Sequence, residues 1–272
     1  MVLEGMPTKL GKERDEWILG AVLDGRADFS FADVRSDAGG KTAVFRVFRD
    51  ALMIEGVRMN VSASLQQRIA DVTGCMLMTA KVADLLWMQR EVTLTPFTRP
   101  ITSSTEAMID NSAKIDAALS KFTAKPQGIV QTVGKHWLID NDLASHPGKA
   151  MNYGWHFSGS NFSGLMGEVN ASLQKDQAGS YVRLIQGRGT AHDPSHTDYS
   201  QICVLISKTC LLDGSEVDIQ SVLSDQSTAS LGSHQGPLKV FRQPGVEEVK
   251  GMLVLPTQTV TADPDVTPVP SV

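Results

Sequence analysis

The stretch Ser62-Ala63-Ser64-Leu65-Gln66-Gln67-Arg68-Ile69-Ala70-Asp71-Val72-Thr73-Gly74-Cys75-Met76-Leu77-Met78-Thr79-Ala80-Lys81-Val82-Ala83-Asp84-Leu85-Leu86 decides the fold class. Ser62 or Ser64 can accept a backbone N–H at the start of a helix whose apolar positions are Leu65, Ile69, Ala70 and Val72. Gly74 interrupts that helix, and Thr79 can cap a second one, with Val82, Ala83, Leu85 and Leu86 on one face at spacings of three and four. A helix pair is therefore expected here.

On the N-terminal side, residues 1–40 are polar and rich in Gly and Asp, and read as a region outside the core. Apolar residues crowd Ala43 to Val57, which predicts two short strands turned at Asp50 or at Glu55-Gly56. On the C-terminal side, the two prolines in Thr95-Pro96-Phe97-Thr98-Arg99-Pro100 exclude regular helix. Residues Ser104 to Phe122 read as a helix with Met108, Ile115 and Leu119 inward. From Gly128 the pattern changes to short runs rich in Val, Ile and aromatics. Strands are expected near Ile129–Val133, Trp137–Ile139, Trp155–Phe157, Tyr181–Ile185, Ile202–Ser207, Leu238–Phe241 and Gly251–Leu255, with a short helix over Val217–Leu223. Helices first and strands later predict an α+β single domain over residues 41–260, its N-terminal helix pair packed on a mixed or antiparallel sheet. Residues 261–272 hold Pro264, Pro268 and Pro270 and read as a tail or linker.

Composition narrows the function classes. The net charge is -5, and no segment concentrates Lys and Arg with interleaved aromatics, so no nucleic-acid partner is expected. Nowhere do 18 apolar residues run uninterrupted, which argues against a membrane span. The first residues show no secretory-signal pattern, and the native location stays open. No Walker A or strand–Gly-x-Gly-x-x-Gly–helix pattern occurs, so nucleotide-dependent chemistry has little support. Three cysteines, none in Cys-x-x-Cys spacing, argue against a structural zinc cluster; Cys203 and Cys210 could pair across a turn.

The chemically densest segment is His192-Asp193-Pro194-Ser195-His196-Thr197-Asp198-Tyr199-Ser200, between two expected strands. Loops held by strands are natural places for ligand-contacting groups. One reading makes it part of a metal site: His192 and Asp198, joined by His156 from Tyr153-Gly154-Trp155-His156, would hold zinc that activates water, with His196 or Tyr199 assisting proton transfer. Pro194 rules out the helical spacing of familiar zinc motifs. A second reading is metal-free, with Cys75 as a thiolate nucleophile, or Ser200 as its rival, activated by His156 or His196 with Asp198. Against it, Cys75 is flanked by Met76, Leu77 and Met78, which favours burial. The plainest alternative is that these polar residues only organise a loop. His146 and His234 read as loop residues. Strand alternation would put Tyr153 and Trp155 on one face and His156 on the other, unless a bulge at Gly154 intervenes.

Three segments, Asp71–Thr79, Tyr153–His156 and His192 with His196–Ser200, are similar to those of a group of bacterial proteins to which no activity is attached, a resemblance covering about Phe45 to Met252. The residues themselves favour a hydrolase acting on an amide or ester, in a small molecule or in a polymer such as the bacterial cell wall. The rival is a carbohydrate- or protein-binding module presenting Tyr153 and Trp155, and a structural or assembly role is third.

Overall fold

The structure, a computed structural model, describes residues 3–100, 104–124, 126–158, 167–176 and 179–250. Five α-helices occur among them: α1 (Lys12–Leu23), α2 (Ala63–Val72), α3 (Ala80–Met88), α4 (Thr105–Leu119) and α5 (Ile219–Ser224). The class is mixed α+β, as the order of elements predicts.

The capping signals act where the sequence places them. Ser62 Oγ accepts from Leu65 N at 3.1 Å to start α2, Thr79 Oγ1 accepts from Val82 N at 3.1 Å to start α3, and Ser104 caps α4. Gly74, at φ +63, takes the left-handed turn that ends α2, a conformation open to glycine at little cost.

The larger sheet is antiparallel and ordered Ser215–Asp218, Ile206–Leu212, Lys41–Phe48, Phe31–Ala38, with Cys75–Met76 added beside Ile206–Leu212. A second antiparallel sheet runs Glu168–Val169, Val182–Gly189, Met151–Ser158, Lys135–Leu138. Val92–Thr93 and Val130–Gln131 form a short parallel pair. Helix α3 packs against Met151–Ser158 of one sheet and Phe31–Ala38 of the other, so its buried face sits where the two sheets meet. That position is what makes the site.

Several details differ from expectation. Residues 1–40 are not a region apart: α1 packs on α2, Phe31–Ala38 pairs along its whole length with Lys41–Phe48, and Ile18, Val22 and Val34 are fully buried. The boundary at residue 41 thus cuts a hairpin. One apolar cluster draws on residues from Met6 to Leu238. The strand expected at Ile202–Ser207 runs instead over Ile206–Leu212, and Leu238–Phe241 forms none. Val217–Leu223 divides into the end of a strand and α5. The strand expected at Gly251–Leu255 and the tail 261–272 lie outside the described residues. Among the described residues, no helix is long and apolar enough to cross a membrane.

Candidate functional site

Asp84 lies in the middle of α3 with no exposure to solvent. An isolated carboxylate there would be costly, and such charges persist only when fully hydrogen-bonded. Four donors meet it. Tyr153 Oη and His156 Nε2 each donate to Oδ1 at 2.7 Å, Asn170 Nδ2 donates to the same oxygen at 2.8 Å, and His234 Nε2 donates to Oδ2 at 2.8 Å. Burial alone would raise the Asp84 pKa, but the hydrogen bonds from His156 and His234, followed by that from the Tyr153 hydroxyl, hold it well below the usual carboxylate range. Since an ionised carboxylate only accepts, both imidazoles carry their proton on Nε2.

A break in strand alternation brings Tyr153 and His156 together. Gly154 and Trp155 have φ of +107 and +59, and the pairing with Val182–Gly189 shifts register between Asn152 and Gly154. Residues three apart then share a face. Trp155 is turned away into a small separate cluster with Tyr199, Ala107 and Met108. A non-glycine residue in the left-handed region carries a strain of about 1 kcal/mol or more, which the surrounding packing must offset. His156 stacks on Trp87 of α3, centroids 5.8 Å apart, and is fully buried.

His234 reaches Asp84 from a loop tied to α3. The Thr79 hydroxyl that caps the helix also donates to Gly232 O, and Lys81 Nζ donates to Ser230 O. The His234 side chain is 33% exposed and lines a small cleft with Thr79, Asp140, Arg188 and Gln235. Arg188 uses Nε and Nη2 to bind Asp140 at 2.9 and 3.1 Å, and Nη2 also binds Asp142 at 2.7 Å. Gln235 donates to Asp140 Oδ1, closing the rim.

The segment singled out in the sequence forms a different cluster. The His192 and His196 rings stack at 3.9 Å, nearly parallel, against the edge of Trp137. His196 Nε2 lies 3.7 Å from Asp198 Oδ2, too far for a hydrogen bond, and Lys135 Nζ lies 3.9 Å from that oxygen. Asp198 Oδ1 accepts from both N and Oγ of Ser200. Burial raises the Asp198 pKa, but Lys135 and the Ser200 bonds outweigh it and lower the carboxyl overall. Burial, then the neighbouring His196 and Lys135, lower the His192 pKa.

The expected zinc set is therefore not assembled. His156 gives Nε2 to Asp84, while His192 and Asp198 belong to the other cluster, and among the described residues no three His, Cys, Asp or Glu are grouped so as to hold a metal ion. Tyr199 is a clasp: its hydroxyl accepts from Arg99 N and donates to Arg99 O, both at 2.9 Å. Cys75 is a strand residue 1% exposed, its thiol pushed up to about 12 by burial. All three cysteines are free and buried, so Cys203 and Cys210 do not pair. We expect a thiol reagent such as dithionitrobenzoate to titrate none of them in the native protein and all three after unfolding; rapid native labelling of Cys75 would contradict this. Tyr153 and Trp155 are 4% and 2% exposed, so neither offers the contact surface of a binding module.

Sequence reasoning missed Asp84 and His234. The available signal was a lone carboxylate in the apolar run Val82-Ala83-Asp84-Leu85-Leu86-Trp87, since a charge so placed must find partners. Compared with protein families, curated proteins and solved structures, the chain matches none.

Proposed function

We propose that the protein is a hydrolase that cleaves an amide or ester bond by general-base activation of water, with His234 as the base and Asp84 as the carboxylate that orients it. The carrying observation is that the fully buried Asp84 binds, through its second oxygen, a histidine whose ring reaches the surface. With Nε2–H directed at Asp84, the Nδ1 lone pair of His234 is the proton acceptor. Nδ1 takes a proton from water as the water oxygen adds to the carbonyl carbon. Arg188 lines the same cleft as His234, and its guanidinium would donate to the developing oxyanion. The imidazolium then returns its proton to the departing nitrogen or oxygen as the C–N or C–O bond breaks.

The cleft has room of about 10 Å³, close to that of one water. The substrate would lie across the surface and offer only its carbonyl. That suits a bond in an extended polymer, such as a cell-wall amide, better than a small molecule enclosed whole.

The test compares wild type with His234→Ala on p-nitrophenyl acetate, a p-nitroanilide and purified peptidoglycan. Loss of a positioned base should lower kcat/KM by about 10²–10⁴. Because the ring is partly exposed, the circular dichroism spectrum should not change. Equal turnover in the two proteins, or none in wild type on any of these substrates, would overturn the reading.

A further inference from the structure

Next to the Asp84 centre is a group of polar atoms that the hydrolytic reading does not use. His136, on Lys135–Leu138, is 1% exposed, and neither of its ring nitrogens has a hydrogen-bond partner among the described residues. Nδ1 of the fully buried His156 is likewise unpartnered. His136 Nε2 and His156 Nδ1 both lie beside Gly154. The position that a Cβ would take at Gly154 lies 3.1 Å from His136 Cδ2, 3.9 Å from His136 Nε2 and 3.8 Å from His156 Nδ1. Any side chain at residue 154 would fill that point.

The chemistry of the two rings is complementary. His156 gives its N–H to Asp84, so its Nδ1 is a bare acceptor. Burial, and then the proximity of His156, push the His136 pKa down to about 3, so this ring is neutral and brings one N–H and one lone pair. A buried polar atom left without a partner is destabilising, and native interiors satisfy such atoms with ordered solvent where protein groups do not reach.

We infer that one ordered water molecule binds between His136 and His156 over Gly154, accepting the Nε2–H of His136 and donating to His156 Nδ1. This water continues a hydrogen-bonded line through His156 and Asp84 to His234. It fixes His156 as the Nε2–H tautomer, which directs that proton at Asp84. His136 is then a positioning residue for the base. That last link rests on the hydrolytic reading, whereas the water site stands independently.

The test is a crystal structure of the wild-type protein at a resolution that orders solvent, with long-range ¹H–¹⁵N correlation spectra of wild type and His136→Phe. We expect one solvent peak within about 2.7–3.2 Å of both nitrogens. In His136→Phe, the His156 Nδ1 signal should move toward the position of an unbonded pyridine-type nitrogen. An absent peak, an anomalous scatterer at the site, or a direct His136–His156 hydrogen bond would each overturn the proposal. If His136→Phe does not fold, the wild-type density alone decides. Enzyme activity is not a readout here, so failure of the hydrolytic reading remains distinguishable from failure of the water site.

Discussion

Asp84→Ala should lose about 3–5 kcal/mol of folding stability, read as a lower urea midpoint at an unchanged m value. The substitution removes a carboxylate whose two oxygens satisfy Tyr153, His156, Asn170 and His234, and it leaves the first three facing a dry gap. Asp84→Asn separates charge from shape. An Asn side-chain oxygen can still receive the three donors at the Oδ1 position, but its amide would meet His234 Nε2–H donor against donor. We expect that variant to retain most of its stability and lose the orientation of His234. The pH dependence has a definite sign. A folded-state pKa held below the unfolded value contributes stability above the ordinary carboxylate range, and that stability is lost as pH falls through the folded value. The stability gap between wild type and Asp84→Asn should therefore narrow as pH drops below about 3.8, the ordinary Asp value. A gap independent of pH would show that the Asp84 pKa is the same in the folded and unfolded states, and a gap that widened as pH fell would show that the carboxyl is protonated in the folded protein.

Trp137→Ala should cost a similar amount, about 3–5 kcal/mol. The ring is fully buried, its Nε1 donates to Val61 O at 2.8 Å, and it packs perpendicular to the stacked His192 and His196. Truncation opens a cavity and also leaves the Val61 carbonyl without its donor. Trp137→Phe should recover most of the packing but still lose roughly 1 kcal/mol for the hydrogen bond. Thermal denaturation of both variants would measure the difference. A loss under 1 kcal/mol in the alanine variant would mean that the segment 190–200 collapses onto the gap.

These two residues mark what was legible in the sequence. Trp137 lies in a short apolar run, and its burial follows from that run. The caps at Ser62 and Thr79 are local chemistry, decided within three residues, and they appear as read. The N-terminal forty residues misled because composition is averaged along the chain while burial is not. Helix α1 buries Ile18, Leu19, Ala21 and Val22, yet it also buries Arg14, whose Nη1 donates to Asn60 O, so its apolar stripe is interrupted. The dense histidine segment attracted attention because its residues are adjacent in sequence, but most of its polar groups satisfy one another or nearby backbone. The Asp84 centre has the opposite character. Its members are isolated in apolar or Gly-rich surroundings, and the left-handed pair at Gly154 and Trp155 that turns Tyr153 and His156 to one side leaves no signature beyond the glycine.

Asp84 takes partners 72, 86 and 150 residues further along the chain. Contacts of such separation form late, after the entropy of closing long loops has been offset elsewhere. During synthesis α3 leaves the ribosome well before the segment bearing His234. For that interval Asp84 can bind neither the proposed base nor the loop that Thr79 tethers. A growing or truncated chain that stops short of residue 234 therefore has no assembled centre, and any hydrolytic activity would first arise in a chain extended past that point.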